Sequence, residues 1–178
     1  SCGHLLRLRQ ATHTNAWTPR EKHSPGLRWG LTQSQREGAG VLTIGVDIGG
    51  TKIAAGVVDD EGTILSQVRY ETDPEDLEAL DATIVEAVRE LRSQHDVTAV
   101  GLAAAGFIAP TRDIVSFAPN IAWRDYPLGK NIQDAVGLPT VVENDANAAG
   151  WAEFQFGIGR EVMHMVMVTI GTGTGGAI

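Results

Sequence analysis

Val41-Leu42-Thr43-Ile44-Gly45-Val46-Asp47-Ile48-Gly49-Gly50-Thr51-Lys52-Ile53-Ala54-Ala55-Gly56-Val57-Val58 is the stretch whose reading decides the fold. An apolar run over residues 41–47 ends in a glycine-rich turn. A second β-like run, residues 53–59, follows with no helix between. Gly45 and Gly50 have the spacing that opens a P-loop, but the next residues are Thr51-Lys52, not Lys-Thr or Lys-Ser, and a P-loop leads into a helix. The segment therefore reads as strand–turn–strand. Glycines in such a turn let backbone N–H groups approach phosphate oxygens closely, and Thr51 adds a hydroxyl donor. Asp47 would repel a bare phosphate and suits a hydrated Mg²⁺. A plain tight turn, with the aspartate bonding its own backbone, would use the same residues.

Working outward, Asp60-Glu61-Gly62 is a turn and residues 63–70 a third strand, so the three strands form an antiparallel meander. Asp73 as N-cap, Pro74 at the first helical position, and Glu75 and Asp76 at the positive end of the dipole predict a helix. Leu77, Leu80, Ile84, Val88 and Leu91 line its apolar face. Residues 97–104 read as a buried strand, and residues 107–109 and 114–117 as a hairpin around Pro110-Thr111-Arg112-Asp113. Then come a short helix (128–136), a strand (140–143) and a helix (145–156). Residues 162–170 are apolar on both faces, which predicts a central strand. On that strand Met163, Met165 and Met167 are expected in the core, with His164 a structural histidine opposite. Trp123 and Trp151 are expected to serve packing.

That last strand runs into Gly171-Thr172-Gly173-Thr174-Gly175-Gly176, a G-x-G-x-x-G match that is weak alone. A dinucleotide site needs a following helix and an acidic residue roughly 20 positions on, and it usually occupies the first strand and turn of its domain. Here that position is held by the Asp47–Lys52 turn. Two strand-ending glycine turns, one opening each half of a duplicated fold, suit a nucleotide clamped between two lobes.

The 178 residues suffice for one domain with a real core, and the formal net charge of -8 disfavours nucleic acid as a partner. Residues 1–40 differ from the rest: six basic residues stand against two acidic ones, with neither helical nor strand periodicity. They read as disordered, or as a non-native N-terminal extension. Leu5, Leu6, Leu8, Leu27 and Leu31 are too scattered for a helix-turn-helix. The single cysteine, Cys2, excludes a disulfide or a cysteine-rich zinc site within this sequence. The longest uncharged apolar stretch, residues 97–110, is short for a bilayer span. The N-terminus lacks the apolar core of a signal peptide.

The segments DIGGTK (47–52) and IGTGTGG (170–176) resemble the two phosphate motifs of the actin-like sugar kinases, in the spelling of the ROK family (repressor, open reading frame, kinase). Three further segments match that family: Ala103-Ala104-Ala105-Gly106, Ala118-Pro119-Asn120-Ile121-Ala122-Trp123 and Glu143-Asn144-Asp145-Ala146-Asn147-Ala148-Ala149. The resemblance covers residues 41–178 and is strongest to ROK-family glucokinases of actinobacterial type.

It implies an actin-like (ribonuclease H-like) α/β domain with a mixed sheet over residues 41–157. Residues 158–178 would be the truncated start of a second, similar domain. It implies a cytoplasmic enzyme, a homo-oligomer at full length, that transfers phosphate from ATP to glucose. Other hexoses, N-acetylhexosamines or a polyphosphate donor are the nearest alternatives within the family. A ROK repressor is the alternative from another class, and residues 1–40 show no winged-helix pattern for it.

The resemblance assigns Asp47, Gly49, Gly50, Thr51, Lys52, Gly171, Thr172, Gly173, Thr174 and Gly175 to ATP, with Mg²⁺ at Asp47. It assigns Ala105, Gly106, Asn120, Asn144 and Asp145 to the sugar. Transfer to a hydroxyl needs a group that takes the proton and aims the oxygen, and Asp145 is the candidate base. Helix capping would equally account for an aspartate or asparagine at residues 144–145. Further sugar contacts, a structural zinc and the adenine pocket are expected beyond residue 178, so this chain alone is expected not to phosphorylate sugar at a useful rate.

Overall fold

The computed structural model describes residues 40–170 and 174–178. The deciding stretch forms β1 (Thr43–Ile48) and β2 (Lys52–Val58), paired antiparallel from Thr43↔Val58 to Ile48↔Ile53, and β3 (Ile64–Glu71) pairs antiparallel with β2. The meander read from the sequence is present. After α1 (Leu77–Arg92), β4 (Ala99–Ala104) returns to lie parallel to β1, and β8 (Thr140–Asn144) lies parallel to β4. The main sheet is therefore mixed, ordered β3-β2-β1-β4-β8. Between β4 and β8, the short strands β5 (Phe107–Ile108), β6 (Val115–Phe117) and β7 (Arg124–Tyr126) form a second sheet, followed by α2 (Leu128–Val136). α3 (Asp145–Gln155), a short 3₁₀ turn (Ile158–Glu161), β9 (Met167–Ile170) and β10 (Thr174–Ala177) complete the described chain.

One core binds these layers. Ile44, Val46 and Ile48 of β1 alternate with Gly45 and Asp47, and each buried residue has a buried register partner on β2 and β4. Leu80, Ile84, Val88 and Leu91 recur at helical spacing on α1, and Leu128, Ile132 and Val136 on α2, closing the same cluster. The opposite side of the sheet carries a row of small residues, Gly56–Gly45–Gly101, in register across three strands.

Three expectations need correction. The N-cap of α1 is Asp76, whose Oδ1 accepts the N–H of Ala79 at 2.9 Å, not Asp73. Asp73 instead closes a turn by accepting the N–H of Glu75, and the Pro74 carbonyl accepts the N–H of Ala122. The chain is tied to a distant loop there before it can wind. β7 was not anticipated; three residues with Arg124 and Asp125 carry no strand signal of their own, and β6 supplies the pairing. The strand expected over 162–170 is only Met167–Ile170, paired among the described residues with β10 alone. Met163, Val166, Val168 and Ile170 are 79%, 70%, 63% and 86% exposed, and His164 is exposed too. An apolar run specifies that a strand seeks cover, not that cover is supplied nearby. Trp151 is also largely exposed, set edge-on to Phe156, whereas Trp123 is fully buried and stacks on Tyr126.

α1, β7 and α2 meet at Asp81, whose Oδ2 accepts from Tyr126 Oη (2.8 Å) and Asn131 Nδ2 (3.0 Å). Burial pushes the Asp81 carboxyl above its ordinary value, and the two hydrogen bonds offset this only in part. Burial and the bond to Asp81 likewise push Tyr126 up to about 12. Because the folded state holds the Asp81 proton more tightly than the unfolded chain, stability falls as pH rises from the ordinary aspartate value through the raised one. Asp81→Asn keeps an acceptor without the charge. Denaturation curves across that window should show a smaller fall of stability with pH for the variant than for the parent; identical slopes would contradict it.

Candidate functional site

β1, β4 and β8 run in the same direction, and register places Asp47 beside Ala103 beside Glu143, then Ile48 beside Ala104 beside Asn144. Neighbouring strands lie about 4.8 Å apart, so Asp47 and Glu143 are separated by about 10 Å. The residues that follow these positions leave the sheet at one edge, the carboxyl edge, where open α/β sheets bind ligands. The sequence-predicted residues Gly49–Lys52, Ala105, Gly106, Asn144 and Asp145 all fall there.

The turn after β1 is closed by the Gly49 N–H donating to the Lys52 carbonyl at 2.9 Å. Among the described residues the N–H groups of Gly50 and Thr51 have no backbone acceptor, which leaves two donors for an anion. Thr51 and Lys52 are exposed, and Lys52 begins β2 opposite Glu71. A Cβ on Gly50 would lie 3.3 Å from the Asn120 carbonyl oxygen, so the turn and the loop of residues 118–123 touch. The next link is Gly106. A Cβ there would stand 2.7 Å from the Phe117 carbonyl oxygen, and the Gly106 carbonyl accepts Asn144 Nδ2 at 3.0 Å. Gly50, Asn120, Gly106 and Asn144 are thus joined by close approach although 94 positions separate the first from the last.

At the far end of this row, Asn144 is the N-cap of α3: its Oδ1 accepts the N–H groups of Ala146 (3.0 Å) and Asn147 (3.1 Å). With Oδ1 doubly used and one Nδ2 hydrogen on Gly106, a single Nδ2 hydrogen is left for a ligand. Asp145 is the first residue of the helix and not its cap. Its Oδ1 accepts the Ala146 N–H at 2.9 Å, and no described residue bonds Oδ2. The second glycine segment reaches the same helix, since a Cβ on Gly175 would lie 2.8 Å from the Ala146 Cβ. Thr174 opens β10 opposite Ile170, and Gly171, Thr172 and Gly173 lie outside the described residues.

Arg124 and Arg112 shape the site without having carried a sequence signal, and Glu143 stood in the family-like segment 143–149 with no role assigned to it. Arg124 Nη1 donates to the Ala118 carbonyl (3.0 Å) and the guanidinium lies 4.2 Å from the centre of the Phe117 ring, which fastens the Asn120 loop. Arg112 and Glu143 form an ion pair at 3.0 Å beside Asn144. No group of three or more His, Cys, Asp or Glu side chains that could hold a metal occurs among the described residues, so a cation here would depend on one carboxylate, water and the ligand's own oxygens. That is the coordination Mg²⁺ takes with nucleotide phosphates, and Asp47 at the end of β1 fits it.

The mixed sheet, its flanking helices and the row of loops at its carboxyl edge define an actin-like α/β domain. Residues 43–178 match the ROK family, and the chain belongs to it. The glucokinase of Streptomyces coelicolor is 54% identical over 137 residues, which are 77% of this chain and 43% of that protein. The crystal structure of a ROK family glucokinase from Streptomyces griseus in complex with glucose and AMPPNP is 54% identical, with a TM-score of 0.72 over 76% of this chain and 43% of that one. An inorganic polyphosphate/ATP-glucomannokinase from Arthrobacter is 32% identical, with a TM-score of 0.68 over 76% and 57% of the two chains. The chain thus spans less than half the length of the Streptomyces glucokinases.

Because Asn144 holds the first turn of α3 and ties it to Gly106, Asn144→Ala should lower stability by about 1–2 kcal/mol in chemical denaturation. Asn144→Ser, which keeps a capping oxygen without setting a carboxylate against the Gly106 carbonyl, should lose less. Equal losses for the two variants would show that capping is not what Asn144 contributes.

Proposed function

We propose that this chain is the sugar- and phosphate-binding lobe of an ATP-dependent glucose kinase, with Asp145 as the base that takes the proton from the acceptor hydroxyl. One observation carries the reading. Asn144 does the capping, so the aspartate beside it has an unengaged carboxylate oxygen at the edge where both glycine segments arrive. The similarity to a Streptomyces glucokinase that binds glucose and AMPPNP supports the choice of sugar and donor.

In this reading the unpaired N–H groups of Gly50 and Thr51, with Thr174 and Gly175 from the other side, receive the phosphates of ATP. Gly171, Thr172 and Gly173 belong to the same binding segment. Asp47 would hold Mg²⁺, which when bound would supply charge neutralisation for the phosphate oxygens. Asn120 and the remaining Nδ2 hydrogen of Asn144 bond sugar hydroxyls, with the Ala105-Gly106 backbone beneath the ring. Transfer then depends on alignment: Asp145 orients one hydroxyl oxygen in line with the terminal phosphate of ATP and removes its proton as the new O–P bond forms and the bond to the departing ADP breaks.

The test uses the chain extended with the remaining length of the Streptomyces coelicolor glucokinase, assayed with glucose and ATP, and in parallel with polyphosphate and other hexoses. Asn preserves size and helix preference at this position, so Asp145→Asn should leave the melting temperature in place. It should lower kcat by about 100-fold or more, the scale of general-base catalysis. A variant that keeps the full rate would remove Asp145 from the role. The unextended 178-residue chain should show no useful turnover, and robust activity from it would contradict the two-lobe reading.

A further inference from the structure

Glu143 sits on β8, the edge strand of the main sheet, one residue before the cap of α3. Both of its carboxylate oxygens are engaged. Oε1 accepts the Asn144 N–H (2.9 Å) and Asn147 Nδ2 (3.1 Å), while Oε2 pairs with Arg112 Nη2 (3.0 Å). Arg112 lies in the loop between β5 and β6 and has φ +60, the left-handed region that a side-chain-bearing residue seldom adopts. Three contacts hold it there: its N–H donates to the Ala109 carbonyl (2.9 Å), its carbonyl accepts the Val142 N–H (2.8 Å), and its side chain meets Glu143. The loop thus covers the free edge of β8 and reaches through Glu143 into the first turn of α3.

An ion pair this accessible, with the two side chains 39% and 30% exposed, adds little to stability. A strained backbone that persists at such a place is explained better by what it aims than by what it stabilises.

We propose that Arg112 and Glu143 are positioning residues, which hold the Asn144–Asp145 turn at the angle the transfer requires. The proposal rests on the reading of Asp145 given above. Neither residue touches sugar or phosphate in it; both act through Asn144 and Asn147.

The experiment compares Arg112→Ala, Glu143→Ala, the double variant and Arg112→Lys in the extended protein. Misaiming a catalytic group costs rate more than affinity, so kcat should fall about tenfold or more while the KM for glucose stays within about threefold. The double variant should be no worse than the weaker single one, and Arg112→Lys should recover part of the rate. Amide hydrogen exchange supplies the readout that does not depend on activity. The Ala146 and Asn147 N–H groups should exchange faster in the two alanine variants, with α1 and α2 unchanged. Unaltered kcat, or exchange accelerated equally throughout the domain, would overturn the proposal. If the unaltered extended protein phosphorylates no hexose, the reading of Asp145 falls and the catalytic part of the proposal falls with it; exchange then decides only whether the pair holds the turn, faster exchange confined to α3 upholding that and no change overturning it.

Discussion

Parallel pairing of β1, β4 and β8 is the constraint on which everything else in this domain depends. Parallel strands cannot be joined by tight turns, so the chain must leave the sheet and return, and each exit falls at the same edge. Register then decides which exits meet. Had β4 slipped one residue against β1, its buried Val100, Leu102 and Ala104 would have faced away from α1 and α2. The hydrophobic alternation that builds the core is therefore also what sets Asp47, Ala103 and Glu143 side by side.

Close backbone approach completes the arrangement. At Gly106 a methyl group would meet a carbonyl oxygen at 2.7 Å, so the loop of residues 118–123 can lie against the end of β4 only because no side chain intervenes. Arg124 and the buried Trp123 fix that loop from behind, one over the Phe117 ring and the other against Tyr126. Gly62 performs a comparable service at the far end of α3. It has φ +80, and a Cβ would stand 2.6 Å from the Phe156 ring, so the turn between β2 and β3 accepts the helix end. The same physical device, absence of a side chain, serves the site at one edge and the packing of α3 at the other.

Much of the fold was legible in the residues. The period-two run of β1 and β2, the helical stripe from Leu77 to Leu91, and the rejection of a P-loop because a strand follows the turn all come from local pattern. Where reading failed, a nonlocal partner had intervened. Asp73 has every local credential of an N-cap, yet a bond from Ala122 to Pro74 holds the chain out of the helix for one more turn. β7 exists because β6 lies beside it. The apolar face of β9 was read as buried, but alternation records only which atoms avoid water.

The same division runs through the site. The sequence by itself determined the composition of the glycine turns, the small or polar residues that follow each parallel strand, and the membership of the ROK family that their spelling carries. Those are local properties of turn chemistry, strand period and motif. Which of two adjacent residues caps α3 was left open by capping preference, because Asn and Asp serve equally well there. Only the tertiary structure decided it, since the Gly106 carbonyl, 38 positions away, accepts the Asn144 amide and orients it as the cap. The roles of Arg112 and Glu143 were invisible for the same reason. A surface arginine and a strand glutamate have no local signature, and they acquire one only when the β5–β6 loop is folded against the sheet edge.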